Sequence, residues 1–164
     1  MAHFVFVLFV ASASILAASH VDAADVLEAV IANGPDAGTY RTPESDLICM
    51  NSPNNNMYAA TWSNLDDVVK DMYGPQGESK KVDAKVLNSA SIRVLNPNDP
   101  GAKLGDVNVG MRNQDATKNR SYELKSVPIT LTVKGKEAEI SFDGKTKDGI
   151  QLRVTAKCSE MVLM

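Results

Sequence analysis

Ile129-Thr130-Leu131-Thr132-Val133-Lys134-Gly135-Lys136-Glu137-Ala138-Glu139-Ile140-Ser141-Phe142 alternates apolar and polar residues with a period of two. Ile129, Leu131 and Val133 fall on one side of the first run, and Thr130, Thr132 and Lys134 on the other. After a turn at Gly135, Ala138, Ile140 and Phe142 alternate with Glu137, Glu139 and Ser141. That period belongs to a β-strand, and a glycine-bearing break between two such runs reads as a hairpin. Beyond the Asp143-Gly144 to Asp148-Gly149 loop, Ile150, Leu152, Val154, Ala156 and Cys158 alternate with Gln151, Arg153, Thr155 and Lys157. Antiparallel strands with one buried face follow. Cys158 shares the apolar face, so its sulfur points into the core.

Working outward, the same pattern recurs at lower amplitude. Val107, Val109 and Met111 alternate with Asp106, Asn108 and Gly110, and Ala90, Ile92 and Val94 form another inward face. Met57 to Trp62 reads as a strand that packs Trp62 inward. Asp46 to Met50 reads as a strand carrying Cys49, followed by a Ser52-Pro53-Asn54-Asn55-Asn56 loop. Gly34-Pro35-Asp36-Ala37-Gly38 is a turn leading into Thr39-Tyr40-Arg41. Val26 to Ile31 is ambiguous between strand and helix. Asp66 to Tyr73 is compatible with one short helix capped by Asn64. Seven or eight short strands with polar turns imply an all-β, mainly antiparallel β-sandwich, with a small barrel as the alternative. No repeat or linker divides the chain.

The N-terminus has a different character. Phe4 to Ala18 is a run of apolar and small residues, followed by Val21-Asp22-Ala23. Fifteen helical residues rise about 22 Å, short of the roughly 30 Å core of a bilayer, and match the apolar region of a secretion signal. A signal peptide over 1–23, cut after Ala23 (or, as a fallback, after Ser19), leaves one secreted domain over 24–164. An uncleaved membrane anchor is the competing reading, because Met1-Ala2-His3 carries no Lys or Arg. No second long apolar segment is present, so no membrane span is expected in the mature chain.

Cleavage has a chemical consequence. Both histidines, His3 and His20, leave with the signal, and with them go Ser-His-Asp and Cys-His chemistry and the commonest metal ligand. Two cysteines remain, Cys49 and Cys158, and an oxidising extracellular or periplasmic compartment favours joining them. The bridge would close a loop of about 110 residues and withdraw both thiols from nucleophilic or zinc chemistry. Formal charge is −3 on the whole chain, with acidic and basic residues interspersed. No basic stripe exists of the kind that nucleic acid requires.

The remaining motifs are read as follows. Asp66, Asp67 and Asp71 are the carboxylates nearest to a glycosidase pair, but no aromatic subsite accompanies them and a solvated face accounts for them. Asn96-Pro97-Asn98-Asp99-Pro100-Gly101 begins like a calcium loop, yet its twelfth position is Val107 where a bidentate Glu is required, so turn chemistry is the reading. Asn119-Arg120-Ser121 is an N-glycosylation sequon in a polar loop, relevant if the host secretes through an endoplasmic reticulum. Gly38-Thr39-Tyr40 is similar to the opening of lipocalins, with the wrong aromatic and no second motif.

Gly38-Thr39-Tyr40, Asp46-Leu47-Ile48-Cys49 and the closing strand from Gly149 to Cys158 together resemble small exported bacterial proteins of the mycobacterial lipoprotein-antigen type. About a third of the mature chain takes part. The resemblance implies a two-cysteine β-sandwich at the cell exterior and brings no catalytic residues. This chain lacks their acylated cysteine, so a membrane tether is not carried over. The expectation is a secreted, non-enzymatic β-sandwich acting by binding or structural presence on an unknown extracellular partner. No catalytic, cofactor-binding or metal-ligating residue is assigned. The alternatives are a small-ligand carrier with a barrel cavity and a carboxylate-dependent hydrolase.

Overall fold

The computed structural model describes residues 25–43, 46–64, 85–99, 101–113 and 116–164; the expected signal segment and the 66–73 helix lie outside the described residues. Among these, eleven strands form: β1 (Val26–Ile31), β2 (Gly38–Arg41), β3 (Ile48–Ser52), β4 (Met57–Ser63), β5 (Val86–Leu95), β6 (Leu104–Arg112), β7 (Arg120–Pro128), β8 (Thr130–Lys134), β9 (Glu137–Lys145), β10 (Gln151–Cys158) and β11 (Val162–Leu163). They make a five-stranded sheet in the order β2-β1-β10-β9-β8 and a six-stranded sheet in the order β11-β3-β4-β5-β6-β7. Every pairing is antiparallel except that of β11 with β3. The two sheets remain separate, each with its own edge strands, so the arrangement is a sandwich and not a closed barrel.

The C-terminal hairpins follow the alternation of the sequence. Lys134 pairs with Glu137 across the Gly135-Lys136 turn, where Gly135 takes a φ of 64° that a glycine adopts without strain. On β10, Leu152, Val154, Ala156 and Cys158 are buried and the residues between them are not. A one-residue slip would turn this whole set to solvent, which fixes the register. The ambiguous segment at 26–31 is strand β1, because β10 and β2 supply ladder partners on both sides and Leu27, Ala29 and Ile31 enter the core. A six-residue, mostly apolar segment cannot choose between helix and strand alone; the neighbours decide.

One core lies between the sheets. It gathers Leu27, Ile31, Ile140, Leu152 and Val154 from the first with Ile92, Val94, Val107, Val109 and Met111 from the second. Burying each such side chain contributes roughly 1.5–3 kcal/mol. Trp62 sits in this core and is buried. Cys49 on β3 and Cys158 on β10 join the sheets through a disulfide with a Cα–Cα distance of 6.0 Å.

Two local features shape the far edge of the larger sheet. Asp106 on β6 faces both Lys125 and Ser126 on β7, a bulge at which Ser126 adopts a φ of 54°. The Asp106 carboxylate accepts the Ser126 N–H at 3.1 Å and the Arg93 guanidinium at 2.8 Å, so the bulge is held by side-chain bonds. Three residues on, buried Ile129 alone separates β7 from β8, and there the chain bends from one sheet into the other. Gly105 lies against this bend, where any Cβ would overlap the Arg93 carbonyl oxygen and crowd Ile129.

Eleven strands exceed the seven or eight expected. The bulge breaks the alternation of β7 midway, and β11 is too short to carry a period. Arg120 and Ser121 of the sequon therefore open a strand, with Asn119 just before it, where a polar loop was expected. Replacing Cys158 with Ser removes the disulfide cross-link between the sheets and should lower stability by about 2–4 kcal/mol. Thermal melts of the oxidised parent and the variant check this; matching melts would mean the bridge adds nothing.

Candidate functional site

The site residues expected from sequence separate into structural roles. Cys49 and Cys158 are bonded to each other and buried, so neither offers a thiolate. Asn119 is exposed, and its side-chain oxygen accepts the Asn113 N–H at 2.8 Å. Ser121, the sequon hydroxyl, donates to the Asn108 side chain on β6 at 3.0 Å. In the Asn96 loop the Asn96 side-chain oxygen accepts from the Asn56 amide at 3.1 Å, the Asn98 amide donates to the Asn56 side-chain oxygen at 3.4 Å, and the Asp99 N–H donates to the Asn96 carbonyl at 3.1 Å. That is the turn chemistry expected of it. Asp66, Asp67 and Asp71 lie outside the described residues.

A cluster that sequence reading did not find gathers around Asp36, in the turn between β1 and β2. Asp36 is fully buried. Its Oδ2 accepts the Tyr122 hydroxyl of β7 at 2.7 Å, and Arg120 Nη1 stands 3.5 Å from Oδ1. The Asp36 carbonyl accepts the Tyr40 hydroxyl at 2.9 Å, and the Lys85 ammonium donates to the Pro35 carbonyl. Burial, followed by the hydrogen bond to Asp36, pushes the Tyr122 hydroxyl up to about 12. Burial likewise raises Tyr40, with the Asp36 charge adding to it. A carboxylate, two tyrosines and an arginine could serve acid–base chemistry in a cleft. Here the carboxylate is shut away from solvent, and the arrangement ties the β1–β2 turn of one sheet to β7 of the other. The sequence signal was weak because Asp36 sits among turn residues, where an aspartate needs no special explanation.

A groove lies beside the C-terminal strand β11. It measures about 420 Å³ and runs between the β8–β9 turn and the β11 edge, with Asn51, Tyr58, Val133, Met161, Val162 and Leu163 on its walls. Its floor is fixed by strand pairing, since Asn51 and Tyr58 are opposite residues of β3 and β4 and their side chains bond at 3.3 Å. Its far wall is held by main-chain bonds from Met161 to Lys136 and from Met164 to Asn51, each 3.0 Å. At its rim Lys136 and Glu160 form an exposed 2.7 Å ion pair. That hydrogen bond raises the lysine and lowers the glutamate from their ordinary values.

The distinguishing property of the groove is its apolar surroundings. Val133, Val162, Leu163 and Met164 are 43%, 55%, 72% and 67% exposed. Single exposed apolar residues are ordinary, whereas several gathered beside one depression mark a contact surface. A second depression of about 420 Å³, around Ser89, Gly110, Arg112, Asn119 and Arg120, is polar by contrast. The groove brings together main-chain amides, an amide side chain, a tyrosine hydroxyl and apolar walls. Such a set suits recognition of an apolar segment.

The tie at Asp36 makes a pH-dependent contribution with a definite sign. Tyrosine in the unfolded chain titrates near pH 10, and Tyr122 in the fold near 12. The stabilisation is therefore complete below pH 10 and is lost as pH rises through 12. Denaturant unfolding of the parent and of Tyr122→Phe should give curves that converge across that window. A gap that stays constant would show that Tyr122 titrates normally.

Comparison of the chain with protein-family models, with curated proteins and with solved structures finds no match.

Proposed function

We propose that this chain is a secreted, non-enzymatic β-sandwich that acts outside the cytoplasm by binding a partner in the groove beside β11. The observation that carries the reading is the concentration of exposed apolar side chains at that one place. The inter-sheet disulfide supports an oxidising compartment, and among the described residues no helix is long and apolar enough to cross a membrane. The resemblance to exported two-cysteine proteins points the same way. The partner presents an apolar segment, because the walls offer contact area and few polar groups to orient a polar ligand.

Two measurements test the reading. Expression of the full chain in a secreting host, followed by N-terminal sequencing of exported protein, should give a start at Ala24; a start at Met1 would remove the signal. NMR titration with the apolar dye anilinonaphthalene sulfonate should shift the amides of Tyr58, Val133, Val162 and Leu163. Leu163→Asp should weaken that binding about tenfold or more with little change in melting, since the side chain is exposed. Shifts confined to other surfaces, or binding unchanged by the variant, would overturn the groove as the contact site.

A further inference from the structure

A sheet edge is a row of unpaired main-chain groups, and natural sandwiches blunt such edges. Four strands here stand at edges: β2, β7, β8 and β11. β11 is two residues long, and β2 is four. β7 is bent by its bulge at Ser126, carries Arg120, Glu123 and Lys125, and ends in Pro128. β8 differs from all three. Thr130-Leu131-Thr132-Val133 is a run of strand formers without Gly or Pro, its register with β9 is unbroken, and its one charge, Lys134, sits at the end.

The turn that follows dictates which of its groups are free. Gly135-Lys136 is a two-residue loop, so the pair closing it, Lys134 with Glu137, is a hydrogen-bonded pair. Counting back by twos, Thr132 and Thr130 also turn their main-chain groups toward β9. Leu131 and Val133 turn theirs away. Among the described residues, neither residue's outward N–H or C=O has a hydrogen-bond partner.

We propose that this edge pairs with the same edge of a second copy of the chain, β8 against β8, antiparallel about a two-fold axis at Thr132. The strand is self-complementary in that register. Leu131 of one copy meets Val133 of the other, and their outward groups exchange four hydrogen bonds. Lys134 falls opposite Thr130, so no like charges oppose each other, and the two Thr132 side chains form a favourable central pair. Shifting by one residue would set outward groups against inward ones. A shift of two would pair only half of the free groups. An unrelated extended peptide could meet the same four groups; a second copy adds the Leu131–Val133 and Thr132–Thr132 pairs and keeps Lys134 away from its own counterpart. The product is a continuous ten-stranded sheet built from two five-stranded ones. A five-residue edge covers far less than a standard interface, so the dimer is weak and reversible, with a dissociation constant of about 0.1–1 mM.

Sedimentation velocity and amide hydrogen exchange on the purified chain test this together. Between about 10 µM and 1 mM, dimer should appear, and the Leu131 and Val133 amides should slow several-fold while Thr130 and Thr132 stay protected throughout. Thr132→Lys changes only an exposed side chain, yet places two lysines opposite each other on the axis. It should weaken association about fivefold or more, whereas Thr132→Ala should leave it nearly unchanged. A chain that stays monomeric at 1 mM overturns the proposal. So does a dimer whose Leu131 and Val133 amides exchange as fast as in the monomer, or one indifferent to Thr132→Lys. Val133 belongs to both the groove and the edge, but Thr132 lies off the groove walls and Leu163 off the β8 edge, so the variants Thr132→Lys and Leu163→Asp separate failure of one proposal from failure of the other.

Discussion

Everything in this molecule depends on burying the alternate residues of two sheets against each other. Each strand offers one apolar face, and neither sheet could hide its own without the other. The disulfide between Cys49 and Cys158 secures that apposition covalently, one sulfur coming from each sheet. It belongs to the packing as much as to the covalent structure, because both cysteines occupy inward positions of their strands and stand in the same core as Leu152 and Ala60.

What the core does not need is distributed unevenly over the surface. The solvent face of the smaller sheet mixes charges and hydroxyls, with Arg153 against Asp143 at 2.9 Å as an example. At the β11 edge the balance reverses and aliphatic side chains meet water. The Asp36 cluster is the inverse case, a charged group where the interior would favour an apolar one. The tyrosine hydroxyl satisfies one carboxylate oxygen, the other has no hydrogen bond and only the guanidinium 3.5 Å away, and the contact joins the two sheets. Polar groups inside and apolar groups outside are the two departures from simple patterning, and each one marks a job other than filling the core.

Legibility in the sequence followed the same division. Strands β8, β9 and β10 were plain because their alternation is uninterrupted and their turns carry glycine. The bridge was plain because the chain holds two cysteines, which leave one pairing. β7 was hidden by its own bulge: at Lys125–Ser126 two residues occupy the space of one, and the period-two signal loses phase there. The groove was invisible for a different reason. Its walls come from β3, β4, β8 and β11, separated by more than a hundred positions at the extremes, and no local pattern announces that Tyr58 will stand near Val162. The partners of Asp36 were hidden likewise, because Tyr122 reaches it from 86 residues away.

The sheets are thus linked twice, by a sulfur–sulfur bond and by a carboxylate–phenol contact, and the two links answer to different insults. A reductant severs the first and leaves the second untouched; alkali ionises the phenol. Under either stress the shared core still holds the sheets together. The two contacts therefore fail separately, the bridge to a reductant and the phenol contact only to alkali above pH 10.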